Sequence, residues 1–176
     1  MNKFNKICSD IKSLKIQGAT NIAKAAVNAY FLNPGKKTKK ILISLRPTEP
    51  ALFNALNLAE KYQKSKILNY FKSSQNKINS LVFKIIKNNQ IIFTHCHSSA
   101  VSQALAYAKK HGKKFQVYNT ETRPLYQGRI TAKELSKAGI KVTDFVDSAM
   151  HKAIEKTSII IIGADAILKT GVINKI

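Results

Sequence analysis

The sequence predicts an α/β protein in which a helical domain, residues 1–89, is followed by a domain built on a parallel sheet, residues 90–176. Three observations support this fold class. Apolar residues recur at helical spacing before Gln90, whereas strand-like and helix-like segments alternate after it. Two apolar runs, 91–93 and 159–162, end abruptly in polar residues, as strands buried on both faces of a parallel sheet do.

The helical half is predicted to contain four helices. The first carries an apolar face made of Ile7, Ile11 and Leu14. The second is an Ala-rich segment over residues 22–32, and the third has Thr48 as a plausible N-cap. The fourth spans residues 65–87. Its expected buried residues are Ile67, Tyr70, Phe71, Ile78, Leu81, Val82, Ile85 and Ile86.

The second half is predicted to alternate between strands and helices. The expected strands are 91–94, 115–119, 141–146 and 158–162, and the expected helices are 98–110, 131–138 and 148–156. Such alternation produces parallel strands joined by right-handed helical crossovers. The last strand contains the isoleucine run 159–162 and no helix follows it, so one sheet face is expected to lack cover. We therefore expect the isolated chain to self-associate, or to be completed by a separate carboxyl-terminal chain.

Cys96 and Asp165 are the candidate catalytic residues. Each follows one of the two apolar runs, and ligands of parallel sheets bind beyond the carboxyl ends of the strands. A thiolate base and a carboxylic acid suit the proton transfers that interconvert aldose and ketose phosphates. Ser98 begins a helix whose positive end would stabilise a thiolate. Two alternatives stay open: Cys96 as a small buried apolar residue, and Asp165 as a turn or cap residue.

The consecutive residues His95, Cys96 and His97 raise the alternative of a metal site. Successive side chains of a strand point to opposite faces, so three neighbours do not readily bind one ion, and no metal is expected. His97 is expected to line the pocket, whereas His95 packs or bonds to the backbone. Asp147 precedes a predicted helix, and it either caps that helix or holds a substrate hydroxyl or the neighbouring acid.

The chain contains 30 Lys and Arg residues against 9 Asp and Glu residues, for a formal net charge of +21. The lysines are dispersed along helices and are not interleaved with aromatic residues. We therefore interpret the basic surface as a solvated one, and nucleic-acid binding as an alternative that rests on charge alone. Arginine occurs only in loops, at Arg46, Arg123 and Arg129, where a forked guanidinium could hold phosphate. For Arg123 and Arg129, a role in bracing the loop or in contacting another subunit is an equal alternative to ligand binding.

The two cysteines, Cys8 and Cys96, lie far apart and do not suggest a disulfide framework. The amino terminus lacks the apolar centre of a secretory signal. No apolar segment reaches the roughly 20 residues that cross a bilayer. A cytoplasmic protein with free thiols and no membrane partner is expected.

Five short segments, taken in order, resemble one family. They are residues 118–124, 127–135, 147–149, 163–165 and 172–175. Together they closely resemble the archaeal ribose-1,5-bisphosphate isomerases, relatives of methylthioribose-1-phosphate isomerases and of the regulatory subunits of eukaryotic translation initiation factor 2B. Matches at Gly18-Ala19 and at residues 46–50 extend the resemblance into the helical half.

The resemblance implies a helical domain followed by a Rossmann-like domain, in a homo-oligomer. It implies that Cys96 removes the substrate proton and that Asp165 donates or shuttles it. The implied substrate-binding residues are Gly18, Ala19, Arg46, Ser98, Ser99, Ala100, Asn174 and Lys175. Backbone N–H groups at the two helix starts would bind phosphate, and Asn174 would bond a sugar hydroxyl. No cofactor is implied.

The expected function is isomerisation of ribose 1,5-bisphosphate to ribulose 1,5-bisphosphate, in the degradation of nucleoside phosphates such as AMP. The alternative is a non-catalytic subunit resembling those of initiation factor 2B, which generally lack the Cys and Asp pair. Two departures from the family stand out. Gln17 occupies a position where isomerases usually have Arg. Family members also continue beyond the Asn174-Lys175 pair, so the sheet domain is expected to be truncated at its carboxyl end.

Overall fold

The computed structural model of the chain describes residues 2–174. Within them, five helices come first: α1 Lys3–Lys12, α2 Ala19–Tyr30, α3 Lys36–Leu45, α4 Pro50–Ala59 and α5 Lys64–Ile85. There follow β1 Gln90–His95, α6 Ser99–Lys110, β2 Phe115–Thr120, α7 Gln127–Lys137, β3 Lys141–Phe145, a 3₁₀ turn Asp147–Ala149, α8 Met150–Glu155 and β4 Ile159–Ile160. A short hairpin comes last, with β5 Ala166–Leu168 and β6 Gly171–Ile173.

The predicted α/β class, helical first and then a Rossmann-like parallel sheet, is confirmed. Contacts group the chain into two compact units: residues 2–73 with Asp165–Ile173, and Ser74–Ala164 with residue 174. The domain boundary expected near Gln90 stays a prediction. Within residues 2–174, no helix is both long and apolar enough to cross a lipid bilayer.

The first unit is held by the packing of α1 to α4 around one apolar core. Its largest fully buried side chains are Ile11, Ile22, Val27, Leu42, Leu52, Leu56 and Ile67. Helix α2 contributes Ala23, Ala26 and Ala29, all completely buried. Small side chains let this helix pack closely against α4, with which it shares its main contact. Helix α2 begins at Ala19 because Gly18, with φ of +82°, turns the chain into it.

Three expectations in the helical half are wrong. The segment leading into Arg46 is a fifth helix, α3. The N-cap of α4 is Glu49 instead of Thr48, because Pro50 occupies the first helical position and lacks an N–H group that would need a partner. Leu14 is not part of the buried face of α1, which ends at Lys12. Leu14 itself is 44% exposed with φ of +61°.

The predicted buried stripe of α5 is also largely wrong. Tyr70, Leu81 and Ile85 are more than half exposed, and Ile78 is exposed as well. The reason lies in the two ends of the helix. The amino-terminal end joins the first core through Ile67 and Phe71, and the end of the segment joins a second core through Val82, Phe83 and Ile86. Different helix faces are buried at the two ends, and a sequence period describes only one face.

The second unit contains the four-stranded parallel sheet, with strand order β3-β2-β1-β4. Strand pairing is in register from Gln90 opposite Phe115 to His95 opposite Thr120, and Thr120 lies opposite Phe145 on β3. Helices α6 and α7 and the end of the α5 segment cover one sheet face. The core they form with it contains Ile86, Ile92, Val101, Leu105, Ala108, Phe115, Val117, Leu135 and Ile140. The strand order reverses between β1 and β4, which places a topological switch point there.

The carboxyl-terminal elements of this unit differ from expectation. Helix α7 begins four residues earlier than predicted, at Gln127, because Gly128 sits inside its first turn and does not break it. The predicted helix 148–156 is a 3₁₀ turn followed by the shorter α8. The predicted strand 158–162 is only Ile159–Ile160, although Ile161 still donates its N–H to the carbonyl of Phe93 at 2.9 Å.

The isoleucine run at β4 is divided between two environments. Ile159 and Ile161 pack against the second core, whereas Ile160 and Ile162 are 50% and 47% exposed. Side chains in extended backbone alternate between faces, so the run covers one side and leaves apolar surface on the other.

We expect Ile160 and Ile162 to promote self-association of the purified chain, because exposed apolar side chains leave water when two surfaces meet. Replacing both by serine should lower the sedimentation coefficient at micromolar concentration without changing the circular dichroism spectrum. Ile41→Ser on α3, a similarly exposed position, is the control and should have no effect. A wild-type chain that sediments as a monomer would contradict the expectation.

Candidate active site

Cys96 lies directly after β1, at the carboxyl end of the strand, and only 4% of it is exposed. Its φ of +63° is left-handed, which is uncommon for a residue with a side chain. Two buried hydroxyls stabilise this backbone. The Cys96 N–H donates to Thr122 Oγ1 at 3.0 Å, and Thr131 Oγ1 donates to the Cys96 carbonyl at 2.9 Å. Bonds on both sides of the residue therefore define where its thiol can point.

One element contacts the thiol, and another begins just after Cys96 in the sequence. The S–H of Cys96 donates to Oε1 of Gln127, the first residue of α7, at 3.1 Å. Ser98 is the N-cap residue of α6, and its carbonyl accepts the Ser102 N–H at 2.9 Å. The Gln127 contact suits the neutral thiol, whereas the positive end of α6 is a favourable neighbour for a thiolate. The site can thus accommodate both protonation states of a base.

Gly163 lies against Ser98, the N-cap residue of α6. A Cβ atom at position 163 would lie 2.7 Å from both Cβ and Oγ of Ser98. Only glycine allows such an approach, which brings the chain after β4 against the start of α6. The space beside Gly163 is therefore taken by the Ser98 side chain.

The two histidines beside Cys96 bind different threonines. His95 Nδ1 is 2.5 Å from Thr120 Oγ1, and His97 Nδ1 is 3.0 Å from Thr131 Oγ1. His95 therefore bonds to a side-chain hydroxyl and not to the backbone, contrary to expectation. The rings do not share a partner, and each is half-buried. That His97 lines a substrate pocket stays a prediction.

Asp147 braces the loop that follows β2. Its two carboxylate oxygens accept the N–H groups of Arg123 at 2.7 Å and Thr122 at 2.9 Å. The expectation that it caps its own helix is wrong, because Val146 is the N-cap of the 3₁₀ turn. The bond from Arg123, and with it the bond from Thr122, lowers the pKa of Asp147 below its ordinary value. Since Thr122 also holds the Cys96 N–H, Asp147 acts on the candidate base through one residue.

The lowered pKa of Asp147 predicts a pH-dependent stability. A depressed folded-state pKa stabilises the protein above the unfolded-state value of about 3.9. That contribution is lost as pH falls through the folded-state pKa. Asp147→Asn should therefore lower the free energy of unfolding at neutral pH, with a difference from wild type that shrinks towards pH 3. Urea denaturation of both proteins across this range is the measurement.

Asp144 provides the matched control for this prediction. Partial desolvation raises the pKa of Asp144, although a bond from Asn119 opposes the shift. Its ionisation therefore disfavours folding once the pH rises above the unfolded-state pKa. For Asp144→Asn the pH trend should have the opposite sign. Parallel pH trends for the two variants would contradict the assignment.

Two of the three arginines stabilise the loop that begins after β2. Arg129 Nη2 donates to Glu121 Oε2 at 2.8 Å, and its guanidinium lies 4.0 Å from the ring centre of Tyr126. Arg123 Nη2 donates to the Tyr126 hydroxyl at 2.8 Å. These contacts agree with the loop-bracing alternative for both residues.

The other candidate residues are distributed over both units. Ser99 and Ala100 open α6, near Cys96 in the second unit. Gly18 and Ala19 lie at the start of α2 in the first unit, and Arg46 is the C-cap of α3. Asp165 lies between β4 and the terminal hairpin, directly before β5, and its N–H donates to the carbonyl of Ile173 at 2.8 Å. Asn174 follows β6, and Lys175 lies outside the described residues.

Sequence reasoning did not identify Gln127, which accepts a hydrogen bond from the thiol, as a functional residue. It belongs to a segment that carries the family resemblance, but it lies 31 residues from Cys96. Gln127 is the first residue of α7, which follows β2 in the chain, and β2 lies beside β1 in the sheet. The pairing of the two strands therefore brings Gln127 to the residue that follows β1.

Residues 15–176 match the model of the initiation factor 2 subunit family. The chain belongs to this family. Ribose 1,5-bisphosphate isomerase of Methanocaldococcus jannaschii is 36% identical over 203 residues, covering 100% of this chain and 66% of the relative. The isomerase of the same name from Archaeoglobus fulgidus is 31% identical over 202 residues, covering 100% and 64%. The chain thus spans just under two thirds of the length of these curated relatives.

A solved structure supports the same family membership. The crystal structure of translation initiation factor eIF-2B from Pyrococcus horikoshii OT3 superimposes with a TM-score of 0.84 at 26% identity, covering 97% of this chain and 69% of that one. The resemblance inferred from the five sequence segments is therefore confirmed. The family includes proteins named as isomerases and proteins named as initiation factors. The residues of the candidate site are therefore the basis for choosing between these two functions.

Proposed function

We propose that this protein is an isomerase that converts ribose 1,5-bisphosphate to ribulose 1,5-bisphosphate. The observation that carries the proposal is the setting of Cys96. Cys96 lies at the carboxyl end of a parallel strand, two residues before the N-cap of α6, and two buried threonine hydroxyls bond to its backbone. The relatives named ribose 1,5-bisphosphate isomerase, which align with the whole chain, support this proposal.

The conversion is a redistribution of protons. The proton on C2 of the sugar ends on C1, and the proton of the C2 hydroxyl is in effect transferred to the ring oxygen as the ring opens. No oxidant or reductant is consumed. Cys96 as thiolate removes the C2 proton and returns it to C1, and Asp165 supplies the proton that the ring oxygen gains. Thr122 and Thr131 act as positioning residues, because they hold the backbone of Cys96.

The protein must also bind the two phosphate groups of this substrate. The N–H groups of residues 98–100 at the start of α6 bind one phosphate, since a helix amino terminus attracts anions. Gly18, Ala19, Arg46 and Lys175 bind phosphate, and Asn174 bonds a sugar hydroxyl. These last five roles rest on the family resemblance alone. We assign the reaction to the degradation of nucleoside phosphates such as AMP, in the cytoplasm, by a homo-oligomer.

One specific observation favours a second candidate function. The neighbour with a TM-score of 0.84 is described as a translation initiation factor. A non-catalytic subunit of this kind needs neither a strand-end thiol nor a carboxyl partner. The presence of both Cys96 and Asp165 therefore favours the enzyme.

The direct test is incubation of the purified protein with ribose 1,5-bisphosphate, with product identified by ¹³C and ³¹P NMR. Ribulose 1,5-bisphosphate should form, and ribose 5-phosphate should give no product. The Methanocaldococcus jannaschii relative, assayed in parallel, is the positive control. If the relative turns the bisphosphate over and this protein does not, the enzyme proposal is wrong and the subunit is favoured.

A further inference from the structure

We propose that the amino-terminal edge of the parallel sheet, where β1, β2 and β3 begin, binds single-stranded nucleic acid. Lysines at this edge hold the phosphates, and the ring of His111 stacks against a base. This binding is independent of the proposed isomerase activity. The edge belongs to the second unit alone and lies at the opposite end of the strands from Cys96.

The fold brings lysines that are dispersed in the sequence to one edge of the sheet. Parallel strands all begin at the same edge, so the segments that lead into neighbouring strands lie side by side. For β1, β2 and β3 these segments are 86–89, 109–114 and 137–141, which we call the lysine edge. The lysine edge contains seven lysines and no Asp or Glu.

Three contacts join these segments into one surface. The N–H of Asn89 donates to the carbonyl of Lys114 at 2.7 Å, and the N–H of Lys114 donates to Oδ1 of Asn88 at 2.9 Å. On the other side, Cε of Lys109 lies 3.8 Å from the position that a Cβ atom would take at Gly139. The lysine edge is therefore continuous along three neighbouring strands.

The positive charge of the lysine edge is not neutralised by nearby carboxylates. Among residues 2–174, the only lysine ammonium that pairs with a carboxylate is that of Lys39, in the first unit. Five of the seven lysines are exposed. Glu121 and Asp147 follow β2 and β3 and lie at the opposite end of the strands. The segment before β4 adds Glu155, which lies 3.1 Å from His151. A polyanion would relieve the mutual repulsion of these lysines.

A pair of stacked rings lies at the lysine edge. The ring centres of Tyr107 and His111 are 3.9 Å apart with 28° between their planes, and Nδ1–H of the exposed His111 donates to the Tyr107 carbonyl at 2.8 Å. Phe83 is 6.2 Å from the Tyr107 ring and 6.1 Å from the His111 ring. Because these two distances are nearly equal, Phe83 lies beside the stacked pair and does not cover the outer face of His111.

A fixed ring among unpaired lysines fits an unpaired base with its phosphates. Proteins that bind single strands without sequence preference combine a positively charged track for the backbone with aromatic rings on which bases stack. Lys113 Nζ lies 4.7 Å from the ring centre of Phe83, so an ammonium group stands next to the rings. A duplex keeps its bases stacked on one another, and an anionic membrane surface offers charge without a flat ring. The combination therefore favours a single strand.

Fluorescence anisotropy of fluorescein-labelled oligouridine with the full chain tests the stacking. His111→Ala should weaken binding by about 10-fold, because a base loses the ring on which it stacks. His111→Phe keeps a ring and should retain the affinity. Inorganic polyphosphate carries charge without bases, so its affinity, measured by competition, should be the same in His111→Ala and wild type. Oligodeoxythymidine, measured in parallel, distinguishes DNA from RNA as the source of the strand.

The salt dependence of the same binding tests the lysines. Lys110→Gln combined with Lys114→Gln should lower the slope of log affinity against log salt concentration by about 1.4, since each phosphate contact of a single strand contributes about 0.7. Lys36→Gln combined with Lys37→Gln removes the same charge from two exposed lysines of α3 and should leave the slope unchanged. Cys96→Ser should bind oligouridine as wild type does.

Several results would overturn the proposal. Equal losses of slope in the two lysine pairs would show that the net charge of the chain, and not the lysine edge, attracts the strand. An unchanged oligouridine affinity in His111→Ala, or an equal loss of polyphosphate affinity, would remove the stacked base. Vesicles of phosphatidylglycerol and phosphatidylcholine that lose binding in the Lys110 and Lys114 variant, while oligouridine does not, would assign the edge to a membrane surface. None of these results depends on whether ribulose 1,5-bisphosphate is formed.

Discussion

Replacing Cys96 by serine is expected to lower kcat by about 10²–10⁴-fold, the range that a positioned acid–base group contributes. A serine hydroxyl is far less acidic than a thiol, so it cannot supply the base. The hydrogen bond that Thr122 accepts and the one that Thr131 donates involve only the backbone of residue 96, so both are kept. The new hydroxyl can still donate to Gln127 Oε1. The free energy of unfolding should therefore change by only about 1 kcal/mol.

Cys8→Ser is the matched control for this result. Cys8 lies in α1 and is half-buried, and burial raises the pKa of its thiol. It is therefore a poor base at neutral pH, and its replacement should leave kcat unchanged. Steady-state kinetics of the three proteins on ribose 1,5-bisphosphate make the comparison. Full activity in Cys96→Ser would remove the thiol from the mechanism.

Gly128→Ala is expected to have the largest effect on stability. A Cβ atom at this position would lie 1.7 Å from the carbonyl oxygen of Thr120 and 2.8 Å from its carbonyl carbon. These are backbone atoms of a central strand that cannot move aside, and Asn119 Nδ2 also donates to the Gly128 carbonyl at 2.8 Å. Forced overpacking typically costs about 1–3 kcal/mol and occasionally more. We expect at least the upper end of this range, or failure to fold.

Gly112→Ala separates this clash from the intrinsic cost of replacing glycine. At Gly112 no atom lies within 4 Å of the position that a Cβ atom would take, and φ is +90°. Only backbone strain remains there, on the order of 1 kcal/mol. Urea denaturation of both variants measures the difference. An equal loss in the two proteins would show that the approach of Gly128 to β2 is not a constraint.

The errors in the predicted elements have a common physical origin. Helix α7 was expected to begin at residue 131, with Gly128 in the preceding loop. The glycine is inside the helix because α7 must approach the end of β2. The buried stripe of α5 was overextended because the helix contributes to two cores on different faces. In both cases a tertiary contact outweighed a local preference.

The sequence by itself determined the fold class, the alternation of elements after Gln90 and the position of Cys96 at a strand end. Apolar runs and their periods are properties of neighbouring residues, and they survive whatever the chain later packs against. Only the tertiary structure decided what surrounds the thiol. Gln127 reaches Cys96 across 31 residues, and Thr120 reaches His95 across 25. These partners meet because β1 and β2 pair in one particular register, and register is set by the packing of the whole sheet.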